Sequence, residues 1–163
     1  MKNVAVNKLD YTGVVTLSKY AGSKKVPFQQ VTNSGRSKLF DFLADCLTGN
    51  FDTAKLIMPY MIRLLKEKED GSYENVAGDI FIRTVPEKVI NTHSNSCSVI
   101  YSFEVAYDRV AQAGDFSHIG LYSKDSDIEN HSAICKVDVA AGSISSALLV
   151  DWQLNISNST SAT

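Results

Sequence analysis

Ser96-Cys97-Ser98-Val99-Ile100-Tyr101-Ser102-Phe103-Glu104-Val105-Ala106-Tyr107 is the stretch that decides the fold. Cys97, Val99, Tyr101, Phe103, Val105 and Tyr107 fall on one face. Ser98, Ile100, Ser102, Glu104 and Ala106 fall on the other. A period of two, with one face nearly all large and apolar, is the mark of a half-buried strand. Downstream, Ile144–Ile156 repeats the pattern, with Leu148, Val150, Trp152, Leu154 and Ile156 on one side. Shorter strands are expected at His118–Ser123 and Ser132–Val139. Turn signals separate them at Gln112–Asp115, Lys124–Asp127 and Ala141–Ser143. Short strands at this spacing predict a mainly β protein, an antiparallel β-sandwich.

Upstream, the periodicity changes. Leu39, Phe40, Leu43 and Leu47 recur at helical spacing, with Phe42 and Cys46 widening the stripe. Thr32-Asn33-Ser34 offers N-cap side chains and Thr48-Gly49-Asn50 a stop, so one short α-helix is expected near residues 34–47. Lys55 to Leu65 reads as β, with Pro59 marking an edge or a bulge. Glu67–Ser72 reads as a charged hairpin tip, and Asp79–Val85 as a strand stopped by Pro86. Residues 1–30 look extended but carry few large apolar groups. The chain therefore divides into an extended N-terminal arm (1–27), a β-sandwich domain (28–157) and a flexible tail (158–163).

The 163 residues fit one domain, and a chain of this length buries enough surface to need no metal or disulfide staple. With 44% hydrophobic and 21% charged residues, disordered, collagen-like and coiled-coil classes are excluded. A formal net charge of -2 argues against a strongly basic nucleic-acid surface. No signal-peptide core is seen near Met1, and no apolar run is long enough to span a membrane. Cys46, Cys97 and Cys135 read as reduced structural thiols, consistent with assembly in a reducing cytoplasm. A Cys97–Cys135 pair is sterically conceivable but has no support.

The residues that could carry chemistry form no recognisable set. His93, His118 and His131 sit at no metal-ligand spacing and read as loop or surface histidines. Asp125, Asp127 and Glu129 alternate like the start of a calcium loop. The pattern then needs Gly and Glu where Asn130 and Lys136 stand. Asn33-Ser34-Gly35-Arg36-Ser37-Lys38 lacks the spacing of a phosphate loop. Tyr101, Phe103, Tyr107, Tyr122 and Trp152 could form a sugar-stacking platform, but their alternation favours core packing. Arg63, Lys66 and Lys68 read as an exposed edge. No catalytic, cofactor or metal residue is assigned.

Two stretches together resemble a known group. Val31-Thr32-Asn33-Ser34-Gly35-Arg36, followed by Leu39, Phe42-Leu43-Ala44 and Leu47-Thr48-Gly49, is the first. The second runs from Val99–Tyr107 through Asp115–Tyr122 and Ile134–Val137 to Leu148–Ile156 around Trp152. They resemble small β-rich tail-fibre and baseplate-associated proteins of tailed bacteriophages. The resemblance covers about residues 31–156 and brings no catalytic residue. It implies a non-enzymatic virion structural protein: a symmetric homo-oligomer of the tail or collar that attaches a fibre or appendage. The implied partners are other copies and other virion proteins (tail, collar, fibre or portal-proximal). No nucleic acid, membrane, cofactor or small-molecule ligand is expected. The alternatives are a carbohydrate- or receptor-binding β-sandwich module and a head-decoration or head-fibre protein. An enzyme would rest on the histidines alone.

Overall fold

A computed structural model describes residues 6–33, 37–93, 96–124 and 126–161. Its strands form two antiparallel sheets. The first has the order β2-β1-β10-β7-β6, from β1 (Val6–Ala21), β2 (Lys24–Asn33), β6 (Glu87–Asn91), β7 (Ser96–Val105) and β10 (Leu148–Ser161). The second has the order β4-β3-β8-β9, from β3 (Pro59–Glu67), β4 (Tyr73–Asn75), β8 (Phe116–Ser123) and β9 (Ala133–Val139), with β5 (Ile80–Phe81) also paired to β3. Three short helices complete it: α1 (Ser37–Leu47), α2 (Phe51–Ile57) and α3 (Tyr107–Ala113). The expected mainly β, sandwich-like architecture is present.

The alternation in β7 and β10 builds the core. Tyr101, Phe103 and Val105 are buried, and so are Leu148, Val150, Trp152 and Leu154. The register sets Trp152 opposite Tyr101 on one side and Val15 on the other, and Val150 opposite Phe103 and Leu17. Such cross-strand pairs are the unit of sheet stability. Against them pack Ile62, Leu64, Ile119, Leu121 and Val137 of the second sheet and Leu39 of α1. Each fully buried side chain of this size contributes about 1.5–3 kcal/mol. At one edge the sheets are stitched together. The Ile82 N–H donates to Tyr60 O of β3 (3.0 Å), and the Arg83 N–H to Ser102 O of β7 (3.1 Å).

β3 and β8 are buried on both faces, because Met61, Leu65 and Tyr122 form a second small cluster on the outer face. Gly120 makes room for it. A Cβ there would lie 2.5 Å from Tyr122 Cε2 and 2.8 Å from its hydroxyl oxygen. Gly13 lies within β1. A Cβ at this position would come within 2.2 Å of Asn33 Oδ1 at the start of the β1–β2 pairing.

Several boundaries differ from expectation. Residues 6–21 and 24–33 are extended, as expected. They are strands of this chain's own sheet, with Val15 and Leu17 fully buried, and not an arm lying outside the core. The expected tail from residue 158 is in strand β10 as far as Ser161, opposite Val6–Leu9; residues 1–5 and 162–163 lie outside the description. The described helix runs Ser37–Leu47; residues 34–36, where its expected start falls, lie outside the described residues. Of the expected strand Lys55–Leu65, residues 55–57 are helical and belong to α2. Met58, before Pro59, is forced to extended backbone (φ -59, ψ 137), which ends α2 and lets Pro59 open β3. The long strand stops at Val105, and Tyr107 begins α3, whose helix formers end at Gly114 (φ 67). The Asp79–Val85 strand shrinks to Ile80–Phe81 because that stretch crosses between sheets. β6, wholly exposed, shows no apolar alternation and was not expected.

Candidate interaction surface

The chemistry-bearing residues named from sequence do not converge. His93 is exposed in the turn after β6, where its N–H donates to Asn91 Oδ1 (3.1 Å). His118 and His131 are buried, contrary to the expectation of surface histidines. The His118 ring packs edge-on to Tyr73 with centroids 5.0 Å apart, and Ser117 Oγ lies 3.0 Å from its Nδ1. Ser117 Oγ also accepts the Glu67 N–H (3.1 Å). Burial is the main force pushing the His118 pKa below its usual 6.5, helped by Lys136 and opposed by Glu67. His131 packs against Tyr122 at 6.1 Å.

Of the acidic turn, Asp125 lies outside the described residues. Glu129 Oε1 accepts the Tyr73 N–H at 3.4 Å, so its carboxylate closes a loop contact. Among the described residues no group of three or more His, Cys, Asp or Glu could hold a metal ion. Cys46, Cys97 and Cys135 are free thiols. Burial pushes the Cys135 thiol up to about 12. Tyr101, Phe103, Tyr122 and Trp152 are buried in core positions, which removes them as a stacking platform; Tyr107 is 53% exposed.

Arg63 corrects the expected exposed charged edge. It is buried on the outer face of β3, where its guanidinium lies over the Tyr122 ring at 4.5 Å. Nε donates to Asp79 Oδ1 (2.6 Å) and Nη1 to Ser126 O (2.9 Å). A single Arg inside the apolar run Met61–Leu65 was the available signal. An unpaired charge in such a run is too costly, so a partner had to exist. Arg63 ties the loop at Ser126 to the sheet.

Among the described residues, two of the clefts open to solvent are lined by charged side chains. One, of about 370 Å³, runs between Lys66, Glu67, Asp115, Ser117, Lys136 and Asp138. The other, of about 310 Å³, lies on the outer face of the first sheet, lined by Tyr20, Lys25, Arg83, Ser102 and Asp151. There Lys25 pairs with Asp151, Arg83 pairs with Glu104, and Ser102 Oγ donates to Asp151 (2.8 Å).

More prominent is exposed apolar surface. β6 is a sheet edge, where Val89 is exposed and Ile90 is 61% exposed; Val85, just before it, is 88% exposed. Leu47 at the end of α1 is 81% exposed, and Phe51 and Leu56 of α2 are also exposed. Single exposed apolar residues are ordinary, but large ones concentrated on an unpaired edge and a helix turn mark interaction surfaces. Sequence periodicity could not find them, because an apolar residue on an interface looks like one in the core. Neither a protein-family model, nor a curated protein, nor a solved structure matches this chain.

Proposed function

We propose that this chain is a non-enzymatic structural protein of a tailed-bacteriophage virion. In this reading it forms a symmetric homo-oligomer in the tail or collar and holds a fibre or appendage on the particle. The observation that carries the reading is the exposed apolar set on the β6 edge and the α1–α2 turn, Val85, Ile90, Leu47 and Phe51 above all. Such groups are stabilised by cover from a neighbour, and symmetric assembly repeats one such contact in every copy. Its partners are then further copies of itself and other virion proteins. Free thiols fit assembly in the cytoplasm of the bacterial host.

The test is particle incorporation. Tagged chain is expressed during phage growth, and particles are banded on a density gradient. The chain is expected in the particle band, and the Val85→Asp/Ile90→Asp double variant is expected to fold but be depleted from it. A chain found only in the soluble fraction overturns the proposal. A second reading, a glycan-binding module, has one observation in favour: Tyr20 beside the Lys25, Arg83 and Asp151 groups of the outer cleft. Glycan-array binding that is lost with Tyr20→Ala would favour it.

A further inference from the structure

The first sheet narrows to two strands at one end. Among the described residues, β2 pairs with β1 only from Gly13 onward, and β7 pairs with β10 only as far as Ser157. Val6–Leu9 and Asn158–Ser161 therefore form a two-stranded ribbon, reaching about 12 Å beyond the rest of the sheet. An isolated two-stranded ribbon is marginal in water. Among the described residues, the edge of β1 away from β10 has no strand partner over the seven residues Val6–Thr12. The β2 edge of the sheet, by contrast, carries Pro27 beside a bulge.

We propose that this edge of β1 pairs antiparallel with the same edge of a second copy, about a two-fold axis at Leu9. The inference rests on the reading of the chain as an oligomer and adds a second contact to the apolar one proposed above. Outward-pointing backbone groups alternate along a strand, so a self-pairing must be centred on a residue, with facing residue numbers summing to an even number. An axis at Lys8 sets Lys8 opposite Lys8, and an axis at Asp10 sets Asp10 opposite Asp10; facing like charges destabilise. An axis at Leu9 sets Lys8 opposite Asp10 twice, Leu9 opposite Leu9, Asn7 opposite Tyr11 and Val6 opposite Thr12. The result is a continuous sheet with the order β10-β1-β1-β10 across the axis, a self-complementary contact.

The test is the solution mass of the full chain by light scattering and analytical ultracentrifugation, with near-ultraviolet circular dichroism of Trp152 reporting the fold. Lys8→Asp and Asp10→Lys each turn two attractive pairs repulsive. Each is expected to weaken the dimer about tenfold to a hundredfold. The Lys8→Asp/Asp10→Lys double variant is expected to restore it, and an equimolar mixture of the two single variants is expected to form a heterodimer. A wild-type oligomer whose mass neither single variant changes overturns this contact and leaves the oligomeric reading standing. A wild-type monomer overturns the contact and leaves the particle reading to the incorporation experiment. Singly reversed variants that dissociate with no rescue by the double also overturn it.

Discussion

Gly120→Ala is the substitution whose sign the structure decides. On strand propensity alone, alanine should stabilise a strand position by about 0.5–1 kcal/mol, because glycine loses more backbone freedom on folding. The structure reverses that. The new Cβ would lie 2.5 Å from Tyr122 Cε2 and 2.8 Å from its hydroxyl oxygen, well inside contact distance. Tyr122 is fully buried and cannot swing into solvent. Its hydroxyl donates to Ile128 O at 2.7 Å, and the Arg63 guanidinium covers its ring. Overpacking of this kind costs about 1–3 kcal/mol, and losing the hydroxyl bond adds about 1 kcal/mol. The net expectation is a loss of about 1–3 kcal/mol, or roughly 3–10 °C in Tm for a chain of this size. The assay is urea unfolding followed by Trp152 fluorescence, run as a double-mutant cycle with Tyr122→Leu. Leucine frees the space, so Gly120→Ala should cost under about 0.5 kcal/mol in that background. A Gly120→Ala protein as stable as wild type, or one equally destabilised in both backgrounds, would refute the steric account.

Two further outcomes follow from burial. His118 is held neutral in the fold, chiefly by desolvation, so its folded pKa lies below the unfolded value near 6.5. Its contribution is thus fully present above that pH and is lost as pH falls through the folded pKa. The urea midpoint should drop more between pH 7 and pH 5 in wild type than in His118→Gln, and equal drops would contradict the assignment. Cys135, with its thiol raised to about 12, should resist a thiol-specific reagent at pH 8 in the native protein, while the half-buried Cys46 and Cys97 react first. Three equal native rates would count against the buried position of Cys135.

The parts legible in the sequence share one physical origin. Alternation in 97–105 and 148–154 has a period that no helix can satisfy, so both strands and their buried faces were readable before any coordinates. The α1 helix was readable for the same reason, but of its stripe only Leu39 is fully buried, while Phe40 and Leu47 are exposed. Where local and tertiary demands compete, the reading failed. Residues 51–57 carry apolar groups that fit either period, and Pro59 set the boundary only by constraining Met58. His118 and His131 looked like loop histidines because nothing local says that the second sheet has a covered outer face. The candidate surface was illegible for a related reason: Val85, Ile90 and Leu47 have the composition of core residues, and only their exposure sets them apart.

Residue order by itself determined that this is a mainly β chain with an amphipathic helix, because hydrophobic periodicity is a local property that side-chain geometry imposes on any sheet or helix. Tertiary structure alone decided that residues 6–33 supply two strands of the sheet rather than an arm. It also decided which groups Arg63 pairs with and that, among the described residues, β1 has no second strand partner over Val6–Thr12. Strand pairing joins residues far apart in the chain. The Val6↔Ser161 register, the outermost described pairing, exists only once two segments distant in the chain have met.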